Sequence, residues 1–274
     1  PPPAPRCAVA DGRVSVPAGT VLLGEDGPGR PGQRVRVAAF AIDRHEVTNG
    51  QFAAFVRATG YRTQAEQQGG GAVFSAPAHA VPLDRPSGWW RFVRGADWRH
   101  PTGPQGTIAG HEREPVVQVT LADAAAYARW SGGILPDEAQ WERAARGRQR
   151  TPHPPRSWAF AGDGTPVANV WEGEFPVHDS GADGHAGLAP VGCFEANDYG
   201  LVDMIGNAWE WTRDDRGERG LIKGGSFLCA ATYCANYRPA AFQAQEKDLP
   251  TSHVGFRTIG APRRPVPDRR ADGS

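Results

Sequence analysis

The sequence predicts an α+β fold, a single loop-rich domain with little regular secondary structure, and three observations carry that expectation. Glycine and proline are dense, 35 and 25 of 274 residues, and nine tryptophans accompany them. Punctuation on this scale forbids long elements, so loops must be held by aromatic packing and local hydrogen bonds. Capped amphipathic runs occur in three places, and short alternating apolar runs, the mark of strands, in three others.

Taken in order, "RVSVPAGTVLLG" (13–24) and "RVRVAAFAIDR" (34–44) alternate as strands do. "TNGQFAAFVRATG" predicts the first helix: Thr48 and Gln51 stand in capping-box register, Phe52, Phe55 and Val56 share a face, and Gly60 stops it. "PVVQVTL" (115–121) reads as a third strand stretch. A second helix lies in "LADAAAYARWSGG", and a third in "PDEAQWERAARG", with Asp137 at the N-cap, Trp141 and Ala145 on one side, and Gly147 beyond its end. One domain is expected over 13–260. It is flanked by a loose segment at 1–12 and a disordered Pro- and Arg-rich end at 261–274.

Charge excludes several function classes. Thirty basic residues balance thirty acidic ones, so no net field draws the protein to nucleic acid or anionic lipid. No apolar run reaches the roughly 18 residues of a membrane span. The start "PPPAPRC" is compatible with removal of an export signal or a tag, leaving an exported or periplasmic location and a bacterial cytoplasmic one both open.

Chemistry concentrates near the C-terminus in "KGGSFLCAATYCANYR", where Cys229 and Cys234, two of only four cysteines, lie five apart. By themselves they read as a local disulfide or as two small buried hydrophobes. Two thiolates on one short loop are also soft ligands suited to Cu(I), whereas zinc wants four ligands and the nearest histidine, His253, is far along the chain.

Several longer motifs occur in order: "FAIDRHEVTNGQFAAFVRATGY", "SGWWRFVRGADWRHPTGP", "EPVVQVTLADAAAYARWSGGILPDEAQWERAARG", "NVWEGEFPVHDSGADGHAGLAPVGCFEANDYGLVDMIGNAWEWT" and "IKGGSFLCAATYCANYR", closing on "HVGFR". Together they make the chain, from about Val14 to Arg257, closely resemble the formylglycine-generating enzymes, the sulfatase-modifying factor family. The resemblance implies a formylglycine-generating-enzyme fold with a C-type-lectin-like mixed core, stapled by calcium. It implies a monomeric Cu(I)-dependent oxidase that uses O2 to convert a cysteine of a client polypeptide, such as a sulfatase, to Cα-formylglycine. Cys229 and Cys234 would be the copper clamp, with Gly224 and Gly225 letting the backbone approach the reacting centre. Ser226 matches the family's active-site serine, although a turn serine bonding its own backbone fits the spacing as well. Tyr233 and Arg238 would shape the cleft.

Two calcium sites follow from the same resemblance. The side chains of Asn169 and Asp183 with the carbonyls of Val170 and His185 match one; Asp203, Gly206, Ala208 and Glu210 match the other. All supply oxygen, the donor that Ca2+ prefers. Asp203 stands where the family usually has Asn.

Other departures touch the stretch that holds the client in the family. Phe242 replaces an arginine, "QEKDLP" replaces "NTPDSS", and Glu114 and Gln118 stand at histidine positions. A non-standard thiol client is therefore expected. An oxidase of a specialised metabolite or peptide, and a non-catalytic calcium-stapled binding module, are the alternatives. Cys7 and Cys193 are either a disulfide, if the protein is exported, or two unrelated thiols.

Overall fold

The computed structural model describes residues 7–24, 32–148 and 154–260. The expected disordered end at 261–274 lies outside them, as do residues 1–6.

The chain opens with β1 (Arg13–Val16), β2 (Gly19–Leu23), β3 (Gln33–Val37) and β4 (Phe40–Asp43). β2 and β3 form an antiparallel pair of their own, while β1 pairs with β4. α1 (Asn49–Thr59) and α2 (Gln64–Gln68) follow, then the antiparallel pair β5 (Gly70–Phe74) and β6 (Trp90–Arg94). Next come α3 (Leu121–Trp130), β7 (Gly133–Ile134) and α4 (Glu138–Arg146). Two short strands, β8 (Gly173–Glu174) and β9 (His178–Asp179), precede β10 (Trp209–Arg216), β11 (Arg219–Lys223), β12 (Phe242–Glu246), β13 (Val254–Gly255) and β14 (Ile259–Gly260). The two larger sheets have the orders β1-β4-β14-β7 and β12-β11-β10-β13. β14 thus carries the end of the domain back between β4 and β7.

The three expected helices form where their caps place them. Thr48 and Gln51 close a reciprocal capping box, and Gly60 ends α1 at a φ of 67°. Asp137 caps α4 through Gln140, and Gly147 follows it. α2 carries the same signature in Thr63 and Glu66, with Gly69 in the left-handed region, but at little more than one turn it is too short to show an apolar period in the sequence.

Two expectations are corrected. "PVVQVTL" is not a strand. Val116, Val117 and Val119 are fully buried, but Gln118 at a φ of 58° breaks the extended run. The backbone N–H groups of Val116 and Gln118 go to the carbonyls of Val47 and Thr251, one bond to each of two separate segments. The described part of the N-terminal segment is not loose either. Cys7 is disulfide-bonded to Cys193, Asp11 accepts from Arg113 and contacts His45, and the Gly12 carbonyl accepts from Arg44 N–H.

At the core, Phe52 packs against Trp98, Tyr127 and Phe256. Beside it lies Arg257, fully buried. Its Nε and one Nη donate to the two Glu210 oxygens at 2.8 Å each, and the remaining donors reach the carbonyls of Asp43, Arg44, Val202 and Asp203. Glu46 lies 3.8 Å away. One side chain thereby joins the end of β4, the 200s loop and β10. Removing one partner of a buried pair strands the other, at about 3–5 kcal/mol. Arg257→Met should therefore lower the urea midpoint by that equivalent, and a midpoint equal to the parent's would show that the guanidinium is not the tie.

Candidate functional site

The spacing of the C-terminal cysteines has a local explanation. Ala230 and Tyr233 exchange both backbone hydrogen bonds, 2.9 and 3.2 Å, around the two turn residues Ala231 and Thr232. Cys229 and Cys234 are the next pair outward. In a hairpin such residues stand opposite one another on one face, so a spacing of five brings two thiols together. Their Sγ atoms are 3.3 Å apart and unbridged.

Neighbours hold the hairpin in place. Trp171 N–H donates to the Cys229 carbonyl, and Phe227 N–H to the carbonyl of Asn207. Asn207 is itself buried, bonded through its amide to Glu46, Asn169 and Ala189. A chain of contacts therefore runs from Arg257 through Glu46 and Asn207 to the cysteine loop. Cys234 sits at a φ of 57°, an uncommon conformation for a residue with a Cβ. Gly224 and Gly225 also have positive φ, 99° and 80°. A Cβ on them would press against Trp141 and the Tyr237 backbone, at 3.1 and 3.2 Å. The close approach they permit is thus to these neighbours rather than to the thiols.

The two thiols differ electrostatically. Burial pushes Cys229 well up, and its bond to Cys234 adds to this. Cys234 is held below the usual thiol range, chiefly by the hydrogen bond from Cys229, with Asn236 Nδ2 also donating to its sulfur at 3.3 Å. Cys234 is thus the readier thiolate. Asn236 carries no local sequence signal that would single it out. Ser226 is buried, and its Oγ accepts from Leu228 N–H at 3.2 Å, the turn role. Tyr233 stacks on Phe175 with centroids 4.6 Å apart and meets Trp89 edge-on. Arg238 is half-buried in the turn leaving the hairpin.

Beside the hairpin opens a cavity of ≈ 250 Å³ lined by Ala231, Thr232, Trp171, Glu172, Arg156 and Phe160, among others. Arg156 lies over the Phe160 ring at 4.4 Å. Its lining mixes the Trp171 and Phe160 rings with one cation, Arg156, and one carboxylate, Glu172. A larger cavity of ≈ 610 Å³ beneath α1 shares none of these residues. The altered client stretch lies elsewhere: Phe242 to Glu246 form β12 along β11, with Arg216 over the Phe242 ring. None of them is among the described residues lining the cleft. Glu114 bonds His111, and the Gln118 amide donates to the Ala72 and Pro101 carbonyls.

The oxygen donors fall into two groups. Asp183 accepts from His185 N–H, burial pushes it up to about 6, and its Oδ2 is buried without a partner. That orphaned oxygen fits a hard cation, with Asn169, Val170 and His185 on the same loops. In the other group Asp203 accepts from Gly192 N–H at 2.6 Å, whereas both Glu210 oxygens are engaged by Arg257 and Trp141. The unpartnered buried oxygen there belongs to Glu46, a residue that the sequence motifs did not bring forward. Three buried carboxyls face one guanidinium, and burial pushes each of them up, so a cation here would take the place of protons on these oxygens. Asp203 adopts a φ of 54°, a region that Asn and Asp enter more readily than other residues with a side chain, so the exchange is tolerated. Gly206 is required at its place: a Cβ there would fall 2.2 Å from the Asn169 carbonyl, which joins the two loops.

The aromatic wall behind the hairpin ends at His253, whose ring lies 4.7 Å from that of Trp90. Burial pushes His253 down to about 3. Above pH 6.5 it is neutral both folded and unfolded. As the pH falls below that, the unfolded chain takes up a proton the native state refuses, so stability is lost, by about 2 kcal/mol at pH 5. Urea unfolding of His253→Gln at pH 7 and 5 should show a smaller loss than the parent by about that amount; equal losses would mean that His253 does not carry it.

Residues 1–262 match the sulfatase-modifying factor enzyme 1-like domain. The formylglycine-generating enzyme of Thermomonospora curvata is 41% identical over 290 residues, covering 93% of this chain and 95% of that protein. The formylglycine-generating enzyme of Mycobacterium tuberculosis is 41% identical over 297 residues, covering 91% and 97%. Among solved structures, PvdO from Pseudomonas aeruginosa superimposes with a TM-score of 0.58 at 24% identity over 90% of this chain and 93% of that one, a likeness of fold.

Proposed function

The chain is a member of the sulfatase-modifying factor family, and from that premise we propose that it is a copper-dependent oxidase converting a cysteine of a client polypeptide to Cα-formylglycine. One observation carries the reading. Two free thiols stand 3.3 Å apart on a hairpin whose turn residues, Ala231 and Thr232, line a cleft. Among the described residues no third His, Cys, Asp or Glu completes a metal site with them. A closed structural site would need more ligands; an open pair leaves room for a client sulfur.

Cu(I), when held by Cys229 and Cys234, supplies the one-electron chemistry that O2 requires. The protein's own part is to bind and orient. Cys234 is the readier thiolate of the pair, and holding the ion with both sulfurs would require Cys229 to give up its proton as well. Asn236 and the tight hairpin fix both sulfurs, and Tyr233, Phe175, Trp89 and Trp171 keep water from the buried side. The client enters along the cleft, where Arg156 and Glu172 offer charges to its backbone or side chains. In balance, the client thiol R–CH2–SH, one O2, two electrons and two protons give the aldehyde R–CHO, one hydrogen sulfide and one water, so a thiol reductant must supply two electrons.

The client is the finer question. Phe242 lies on β12 and "QEKDLP" runs from the end of that strand into the turn after it, none of them lining the cleft, so they weigh less against an ordinary Cys-x-Pro-x-Arg peptide than the sequence suggests. Mass spectrometry of such a peptide, incubated with copper-loaded protein and a thiol, should show sulfur exchanged for oxygen. Cys229→Ser and Cys234→Ser should each lose tight copper binding and this product. Copper bound as tightly by Cys229→Ser as by the parent would end the clamp assignment.

Calcium is proposed at Asn169, Val170, Asp183 and His185, and at Asp203, Gly206, Ala208 and Glu210 with Glu46 beside them. Asp183→Ala tests the first cleanly, because removing Glu210 would strand Arg257 whatever the metal. A chelator should lower the parent's Tm, each kcal/mol lost costing about 2–4 °C. Asp183→Ala should start lower and respond less; an identical response would remove Asp183 from the site.

The Cys7–Cys193 bond favours an oxidising compartment.

A further inference from the structure

Away from the catalytic hairpin, Cys7, Cys193 and His185 bring one ligand atom each within 4.8 Å of one another. All three are half-buried, so a reductant can reach them. The Nε2 of His185 is enclosed yet has no hydrogen-bond partner. A solvent-shielded imidazole nitrogen without a partner, on a ring that brings a nitrogen within 4.8 Å of two sulfurs, is an incomplete polar arrangement in the oxidised protein. Two thiolates and an imidazole are the donor set of a tetrahedral zinc-type site whose fourth position is left to solvent. Glu114 adds negative charge on the histidine's side.

We propose that Cys7, His185 and Cys193 form a redox-gated site for a zinc-class divalent cation. With the disulfide closed, neither sulfur is a thiolate and no ion binds. A dithiol delivers two electrons and two protons, breaking the S–S bond and leaving two thiols while the dithiol becomes its own disulfide. The cation then displaces both thiol protons and takes the lone pair of a His185 ring nitrogen. The metal replaces the covalent link between the N-terminal segment and the 190s loop. That loop matters to the rest of the molecule: Gly192 packs under Val9 and donates to Asp203. The site thus keeps the N-terminal segment docked in either redox state.

Co2+ is the probe, because its tetrahedral thiolate complexes absorb visibly. In a Cys229→Ser/Cys234→Ser background the only thiols are Cys7 and Cys193. After reduction and removal of the dithiol, this protein should take up one Co2+ per chain with thiolate-to-cobalt absorption, and the oxidised form none. Adding His185→Ala should weaken binding by more than the roughly 10–100-fold that losing an outer partner costs. If the background does not fold, the same comparison in the parent, oxidised against reduced and with or without His185→Ala, reads the extra thiolate-bound cobalt. No such absorption on reduction, or equal affinity in His185→Ala, would overturn the site.

Discussion

Everything in this molecule leans on one buried guanidinium. Arg257 is reached by no solvent, and each of its donors meets an oxygen: both carboxylate oxygens of Glu210 and four backbone carbonyls from two separate loops. Burying an ion costs several kcal/mol unless its hydrogen bonds are replaced, and here they are. Such a centre is intolerant of displacement, because moving any of the three segments leaves a charge or a carbonyl unpaired. A chain with so much glycine and proline has few long elements to enforce position, so this polar tie holds the segments as a helix pair does elsewhere.

From that tie the order spreads outward. Glu46 faces Arg257 and accepts from Asn207; Asn207 accepts from Phe227, two residues before Cys229. On the opposite side, Trp171, Phe175, Trp89 and Tyr233 lock edge-to-face and stacked against the hairpin. The thiols therefore sit between a polar network and an aromatic wall, Cys229 fully buried and Cys234 partly exposed, while the turn that joins them lines the cleft. This asymmetry explains their unequal character, since Cys229 points into the buried side while Cys234 is partly exposed and bonded by Asn236.

Departures from the family pattern acquire different meanings once placed. Phe242 extends β12 and lies under Arg216, where a ring serves sheet packing. Gln118 at its left-handed turn spends its amide on the carbonyls of Ala72 and Pro101. Neither change reaches the cysteine hairpin. Its chemistry and the edges of its cleft come from residues close to it in space, Arg156, Trp171 and Glu172.

What the sequence by itself determined are features closed within a few residues. Thr48 with Gln51 and Asp137 with Gln140 set helix starts because each box is completed three residues on. The five-residue cysteine spacing brought the thiols together because two turn residues and one paired couple stand between them. Tertiary structure alone decided the rest: the pairing of Cys7 with Cys193 across 186 residues, the tie of Arg257 to Glu210 and Glu46, and the loss of the strand at Val116 to Val119. In each case the partner is chosen by where distant loops arrive. Alternation says that Val116 to Val119 want burial, but whether their N–H groups meet a ladder or two unrelated carbonyls depends on neighbours that the local pattern does not contain.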